Sequence, residues 1–416
     1  MAAGGGIVID EETGKPDGMP LPADLVEAIR AAGLPATAPG RSMPATAAVD
    51  WMVRTTTDVV LPRFKAADKP FVMLFWCPDP DNTQHGQKDN LGSVTPGVNG
   101  PTSKAAVANA SNALARLRAA LKAQGLEATT DIFVTADHGF STVNRSVGAG
   151  DLPVGFLAAE LSSALGQKLW TTGAAPAEIT AAKPLAGGSA IIGADAAHPQ
   201  VVFASNGGAQ LIYLPDPATA KALAAKVVNY LTTQAYTGGI FIDQATYGEQ
   251  PGALDMKDVR LIGSARTPKP AIVVTFRSVE SGCGTEMCST LITDSSYQTG
   301  QGTHGSLGRG ETRNFMAAIG PDFKAGYVNK SPISNADIAP TLARILQLDL
   351  GGVGKLKGRV IGEALKGGAE AKTTSETKRA KPAANGFATI LNLQRVGDAE
   401  YFDAAGSAGR AVGLKP

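Results

Sequence analysis

The stretch DIFVTADHG, residues 131–139, is the place to begin. Its first five residues carry the apolar, β-prone run Ile132-Phe133-Val134, as expected of a strand covered on both faces. It then breaks into Asp137-His138-Gly139, two metal-competent side chains followed by a residue that lets the backbone turn. Upstream lies the strongest helical pattern in the chain, Ser103–Gln124. There Val107, Ala110, Leu114, Leu117 and Leu121 recur at spacings of three and four, and Gly125 follows as a stop. Further upstream FVMLFW, residues 71–76, reads as a second continuously apolar strand and runs into the polar loop DPDNTQHGQKDN. A strand, a loop, a long helix and a strand predict a mostly parallel sheet sandwiched by helices, with right-handed crossovers. Ligands of such sheets gather beyond the carboxyl ends of the strands, where both polar clusters sit.

The remaining chain is divided on the same grounds. Residues 1–147 form the first part of an α/β core, with helices over Ala23–Ala32 and Ala47–Phe64. Residues 148–266 are less regular and read as an inserted cap facing the substrate. They carry a helix over Gly155–Leu165, strands at Val201–Phe203, Leu211–Leu214 and Gly239–Asp243, and a helix opened by Asp216 and Pro217. The core resumes over residues 267–365, with strands at Ala271–Phe276 and Asn314–Gly320 and a helix starting near Asn335–Asp337. Residues 366–416 hold a Lys-rich solvated linker, Lys366–Ala384, and a β-hairpin over Thr389–Asp403 turning at Gly397-Asp398.

Composition excludes several classes. The 416 residues carry 38 basic and 37 acidic side chains, a net charge of +1, which gives no reason to expect a nucleic-acid duplex as partner. No apolar run approaches the roughly 18 residues of a membrane span. The opening MAAGGGIVID lacks the basic and apolar regions of a signal peptide, so the chain as written is expected in the cytoplasm, and in the periplasm or outside if translation starts upstream. Three cysteines are too few for a disulfide scaffold; Cys283 and Cys288 read equally well as a small bridged loop or as two thiols. Oligomeric state is not legible.

The chemistry concentrates on histidine, of which there are only four. Asp81 and His85 are four apart, a spacing that puts carboxylate and imidazole on one side of a helical turn, with Asp79 as a rival carboxylate. One hard oxygen and one borderline nitrogen suit Zn2+, with Mn2+ or Fe2+ as the other options. Asp137 and His138 end the buried strand, and His304 lies among glycines in GQGTHGSLGRG. Taken singly, each cluster is as readily a surface turn; together, five N/O ligands beyond one sheet could hold two divalent ions for in-line displacement at phosphorus. His198, in DAAHPQ, reads as solvated. Asn206-Gly207-Gly208 reads as a plain turn sooner than as a substrate-facing loop.

The D-x-x-x-H loop after a strand, the strand ending in TADHG, the late THG and the following DIAPTLARILQL together resemble the alkaline phosphatase superfamily, most closely its nucleotide pyrophosphatase/phosphodiesterase branch. The resemblance spans roughly residues 70–350. It implies an α/β sandwich with two zinc ions, Asp81, His85 and His304 on one and Asp137 and His138 toward the other. It implies a small phosphate ester, phosphodiester or nucleotide-like substrate. It also calls for an Asp ending a first strand and a Thr or Ser nucleophile at a helix start. Asp10, ending IVID, and Thr46, ahead of Ala47, imitate that pair, but the favoured reading is that this chain begins after the family's first motif. The catalytic nucleophile is then unassigned, with Thr46 the sole candidate named, and a metal-binding remnant with little or no activity stands as the alternative. A sulfatase is excluded because Ser42-Met43-Pro44 is followed by Thr46 where the modification motif needs Arg. A mutase would need its own serine nucleophile, which cannot be located.

Overall fold

The computed structural model describes residues 7–10, 18, 20–97, 99–147, 150–264, 266–281, 285, 289–350 and 357–414. Cys283 and Cys288 lie outside the described residues. The architecture is mixed α/β. The first helices, α1 (Ala23–Ala31), α2 (Thr46–Arg54) and α3 (Leu61–Ala67), fall where apolar spacing puts them, with a π-helical turn, Thr55–Val60, joining α2 to α3. Leu25 and Ile29 of α1 bury against Trp51 and Val59. A short helix, α4 (Asp81–Gly86), replaces the expected polar loop, and α5 (Gly100–Ala123) starts with Pro101 in its first turn, where a missing N–H costs nothing.

The sequence expectation fails in three places. Phe71–Trp76 is extended but joins no strand ladder among the described residues. It turns Phe75 and Cys77 onto Ala45, Val49, Val53 and Ala113. Val72, Leu74 and Trp76 point the other way and are 59%, 90% and 69% exposed. Among the described residues nothing covers that face, so the pattern of a doubly buried strand is present without its burial. The same shortage shows on α5, where Leu121 of the expected stripe is buried while Val107 is exposed.

Strand direction is the second correction. β1 (Ile132–Thr135) pairs antiparallel with Met316–Ile319, and only two of the described pairings run parallel: Leu254–Asp255 with Thr237–Ile242, and Ser289–Leu291 with β2 (Ser141–Val143). The largest sheet has seven strands in the order 254–255, 237–242, 272–276, 209–213, 201–206, 190–193 and 168–170. Hairpins without intervening helices build its later part, and hairpins are antiparallel by construction. One face is covered by the helices Phe156–Leu165 and Ala220–Thr233. Phe156, Leu161, Val227 and Leu231 pack there on Phe203, Ile212, Ile240 and Val274. The strand Ile272–Phe276 lies in this same sheet with the strands of the middle region.

The third correction concerns the linker. Thr373–Arg379 is an edge strand paired over seven positions with Thr389–Val396, which in turn forms the expected hairpin with Ala399–Ser407 about Gly397-Asp398. The charges of TTSETKR were read as solvation; they belong to an edge strand, where charge discourages further pairing. Leu391, Leu393 and Ala405 of this small sheet pack on Phe241, Leu254 and Val273 of the large one.

Candidate metal centre

Strand register brings the distant motifs together. β2 follows directly on Asp137-His138-Gly139-Phe140, and it pairs antiparallel with Gly302–Thr303, Ser141 opposite Thr303. His138 and His304 therefore leave the same end of one short ladder, and their rings stack at 3.8 Å. α4 docks on the same strand: the His85 Nδ1 lies 3.0 Å from the Gly302 carbonyl, and the Gln87 side-chain amide donates to Gly300 at 2.7 Å. The i, i+4 spacing on α4 then turns Asp81 toward the two other imidazoles.

Asp81 Oδ1 is the focus. The Nε2 atoms of His85, His138 and His304 lie 3.3, 3.8 and 3.8 Å from it. Among the described residues it is a buried oxygen with no hydrogen-bond partner. A tetrahedral zinc site with bonds of about 2.0 Å separates its ligand atoms by about 3.3 Å, and the chemistry of this donor set suits a divalent ion. Asp81, His138 and His304 each offer one ligand atom within 4.8 Å of the others. Asp137 stands on the outer side, its Oδ1 3.5 Å from His138 Nε2. Nδ1 of His85 and of His138 each faces a carbonyl, Gly302 and Gly139. An Nδ1–H donated there leaves the Nε2 lone pair pointing inward.

Electrostatics favour the ligand forms. Burial opposes ionisation of Asp81, but the facing His85, with His304 and His138, holds its carboxyl below the usual range. Burial, then the neighbouring His138 and His85, push His304 below the usual imidazole value, keeping it neutral. Tyr297 stacks on His85 at 4.8 Å, and Phe140 fills the space among the three imidazoles.

Of the five candidate ligands, Asp81, His138 and His304 converge, with His85 beside Asp81 and Asp137 beside His138. The rival Asp79 is buried and fully engaged, accepting from the Ala45 amide and Asn109 Nδ2 on one oxygen and Thr83 Oγ1 on the other. His198 is exposed and pairs with Asp195. Thr46 is exposed at the first position of α2; the preceding residues Ser42 and Ala45 are bonded to Asn82 and Asp79. The Asn206–Gly208 turn is more than a plain connection. The Gly208 amide donates to the His304 carbonyl at 2.7 Å, and a Cβ on Gly207 would stand 2.1 Å from that same oxygen. The glycine flanking His304 is needed for this contact too: Gly305 has φ +102°, and its own Cβ would meet the Asn206 carbonyl. Glu311, which sequence reasoning missed, is buried beneath the centre, and burial pushes its carboxyl up to about 7. Its only sequence signal is a lone acid in a Gly- and Arg-rich stretch, GSLGRGETR.

Residues 22–158 match the family profile described as type I phosphodiesterase / nucleotide pyrophosphatase. Among solved structures, human ectonucleotide pyrophosphatase/phosphodiesterase 5 is similar at 14% identity and TM-score 0.40, over 80% of this chain and 67% of that one. The murine counterpart, an inactive variant in complex with AMP, is similar at 13% identity and TM-score 0.40 over the same shares. No curated protein matches. No helix among the described residues is long and apolar enough to cross a membrane. The matched segment holds both TADHG and the D-x-x-x-H helix, and it is this segment that is similar to the type I phosphodiesterases and nucleotide pyrophosphatases.

Proposed function

We propose that the chain is a metal-dependent hydrolase of small phosphate esters or phosphodiesters, nucleotide-like ones included, working with divalent ions of which Zn2+ is favoured. The observation that carries this reading is the orphaned Asp81 Oδ1 ringed by three imidazole nitrogens. Such a cluster without a cation would leave a buried carboxylate oxygen unpaired, at a cost of about 1–3 kcal/mol or more.

Asp81, His85 and His304 form one ligand group, with His138 and Asp137 extending it toward a second ion. When bound, such ions act as Lewis acids on phosphoryl oxygens and clamp both oxygens of an in-line displacement. The protein's own share is orientation. Gly302 and Gly139 fix the imidazole tautomers, Phe140 and Tyr297 keep the rings from rotating, and the half-exposed Asp137 stands beside His138.

A second reading keeps the metal and drops turnover: a metal-holding scaffold in which no side chain acts as nucleophile. It is favoured by the apolar face at Val72, Leu74 and Trp76, left uncovered among the described residues. One experiment separates the two. Purified chain is loaded with Zn2+ or Mn2+, its metal content measured, and its turnover followed on p-nitrophenyl phosphate and bis-p-nitrophenyl phosphate. Metal-dependent release that disappears in Asp81→Ala and His304→Ala supports the hydrolase. Bound metal without turnover on either substrate supports the scaffold, and absence of bound metal refutes both.

A further inference from the structure

We infer that Glu311 is a positioning residue for the metal centre, setting the separation of His138 and His304 by tying together the two segments that carry them; this rests on the metal-binding reading above. The inference starts from an energetic oddity. Glu311 is 5% exposed, in the short helix Arg309–Thr312, and no cationic side chain among the described residues lies within ion-pair distance of it. A carboxyl buried without a cation is among the least favourable groups to place in a core. An apolar side chain would serve packing better.

The hydrogen bonds show what the carboxyl does instead. Oε1 accepts from the Ser141 hydroxyl at 3.0 Å, three residues beyond His138. Oε2 accepts from the Ser306 amide, two residues beyond His304. The backbone carbonyl of Glu311 accepts from the Gly139 amide at 2.8 Å, next to His138 itself. Residue 311 therefore holds the Asp137-His138 segment at two points and the His304 segment at a third. Its fit is close: a Cβ on Gly139 would stand 2.4 Å from the Gly310 carbonyl and 2.9 Å from Glu311 Cα. The Thr303–Ser141 pairing fixes where the two segments start, and the Glu311 strap fixes how far they diverge beyond that point. None of these bonds reaches a candidate ligand atom, so Glu311 acts through the backbone.

The test uses full-length protein and metal alone. Zn2+ affinity is measured by competition with a chromophoric chelator, and Co2+-loaded protein is read by its visible d–d absorption. Glu311→Ala is expected to weaken Zn2+ binding about 10- to 100-fold and to change the Co2+ spectrum, the range found for groups that orient metal ligands. Glu311→Gln, which still accepts one N–H and can donate to Ser141 Oγ, is expected to recover affinity to within about threefold and to restore the spectrum. Should Glu311→Ala fail to fold, Ser141→Ala removes one of the three ties and is expected to cost a smaller, measurable fraction of the affinity. Wild-type affinity and spectrum in Glu311→Ala, or in Ser141→Ala where that stands in, overturns the inference while leaving the metal centre intact. Wild-type protein that takes up no metal overturns the metal-binding reading itself, and this inference with it.

Discussion

Gly207→Ala concentrates the structural reasoning in one methyl group. Gly207 sits at φ +62°, a left-handed conformation that costs an alanine about 1–2 kcal/mol. The new Cβ would also stand 2.1 Å from the His304 carbonyl oxygen, and both atoms belong to backbone, so one segment must move. Moving it breaks the Gly208 to His304 bond, worth about 1 kcal/mol. The sum is roughly 2–3 kcal/mol of stability, seen as a lower urea midpoint at unchanged slope. Because the displaced residue is a candidate ligand, Zn2+ affinity is expected to fall by about tenfold or more as well. Chelator competition and urea titration on the same preparation read both quantities. A variant that keeps wild-type midpoint and affinity refutes the claim that this turn holds His304 in place. Loss of stability with affinity unchanged refutes only the second half.

Other outcomes follow from single features. Asp81→Asn removes the one charge that three imidazoles share, and bound Zn2+ measured by plasma spectrometry is expected to drop at least 100-fold, whereas His198→Ala leaves it unchanged. Asp294, bonded to Gln210 and buried, has its carboxyl pushed up to about 7 by burial, as has Glu311. Between the ordinary carboxyl range and that value the folded chain binds more protons than the unfolded one, so stability falls as pH rises through this window and levels off above it. The melting temperature is therefore expected to be higher at pH 5 than at pH 8, with a shallower slope in Asp294→Asn; a flat or rising profile contradicts the assignment. Leu74→Lys, at a 90% exposed position, is expected to leave the unfolding free energy, measured by urea titration, within about 0.5 kcal/mol of wild type.

The site was more legible than the sheet that carries it. TADHG, D-x-x-x-H and THG announce themselves because hard and borderline ligands are rare outside sites, and a chain with four histidines leaves little to choose from. The D-x-x-x-H spacing already favoured Asp81 over Asp79, and the bonds from Ala45, Thr83 and Asn109 show that Asp79 is a structural acceptor. Strand direction was not legible, because an apolar run such as FVMLFW or DIFVT says how buried a strand should be and not which neighbour it takes. The Lys366–Ala384 reading failed for a related reason, since TTSETKR is polar on both faces and only its pairing with Thr389–Val396 makes it a strand. Asn206-Gly207-Gly208 was correctly read as a turn, and its second role depends on a residue nearly a hundred positions away.

That long-range clasp bears on how the protein can be divided. The segment 22–158 that carries the family signature contains Asp81, His85, Asp137 and His138, yet the third imidazole is contributed from residue 304 and propped by a hairpin of the large sheet. Expressed alone, that segment would present two histidines and two acids with nothing to close the ring. On the proposed reading, cation capture is an attribute of the assembled chain, acquired only when its late and middle portions have packed onto its early one, and it can serve as a readout of that assembly.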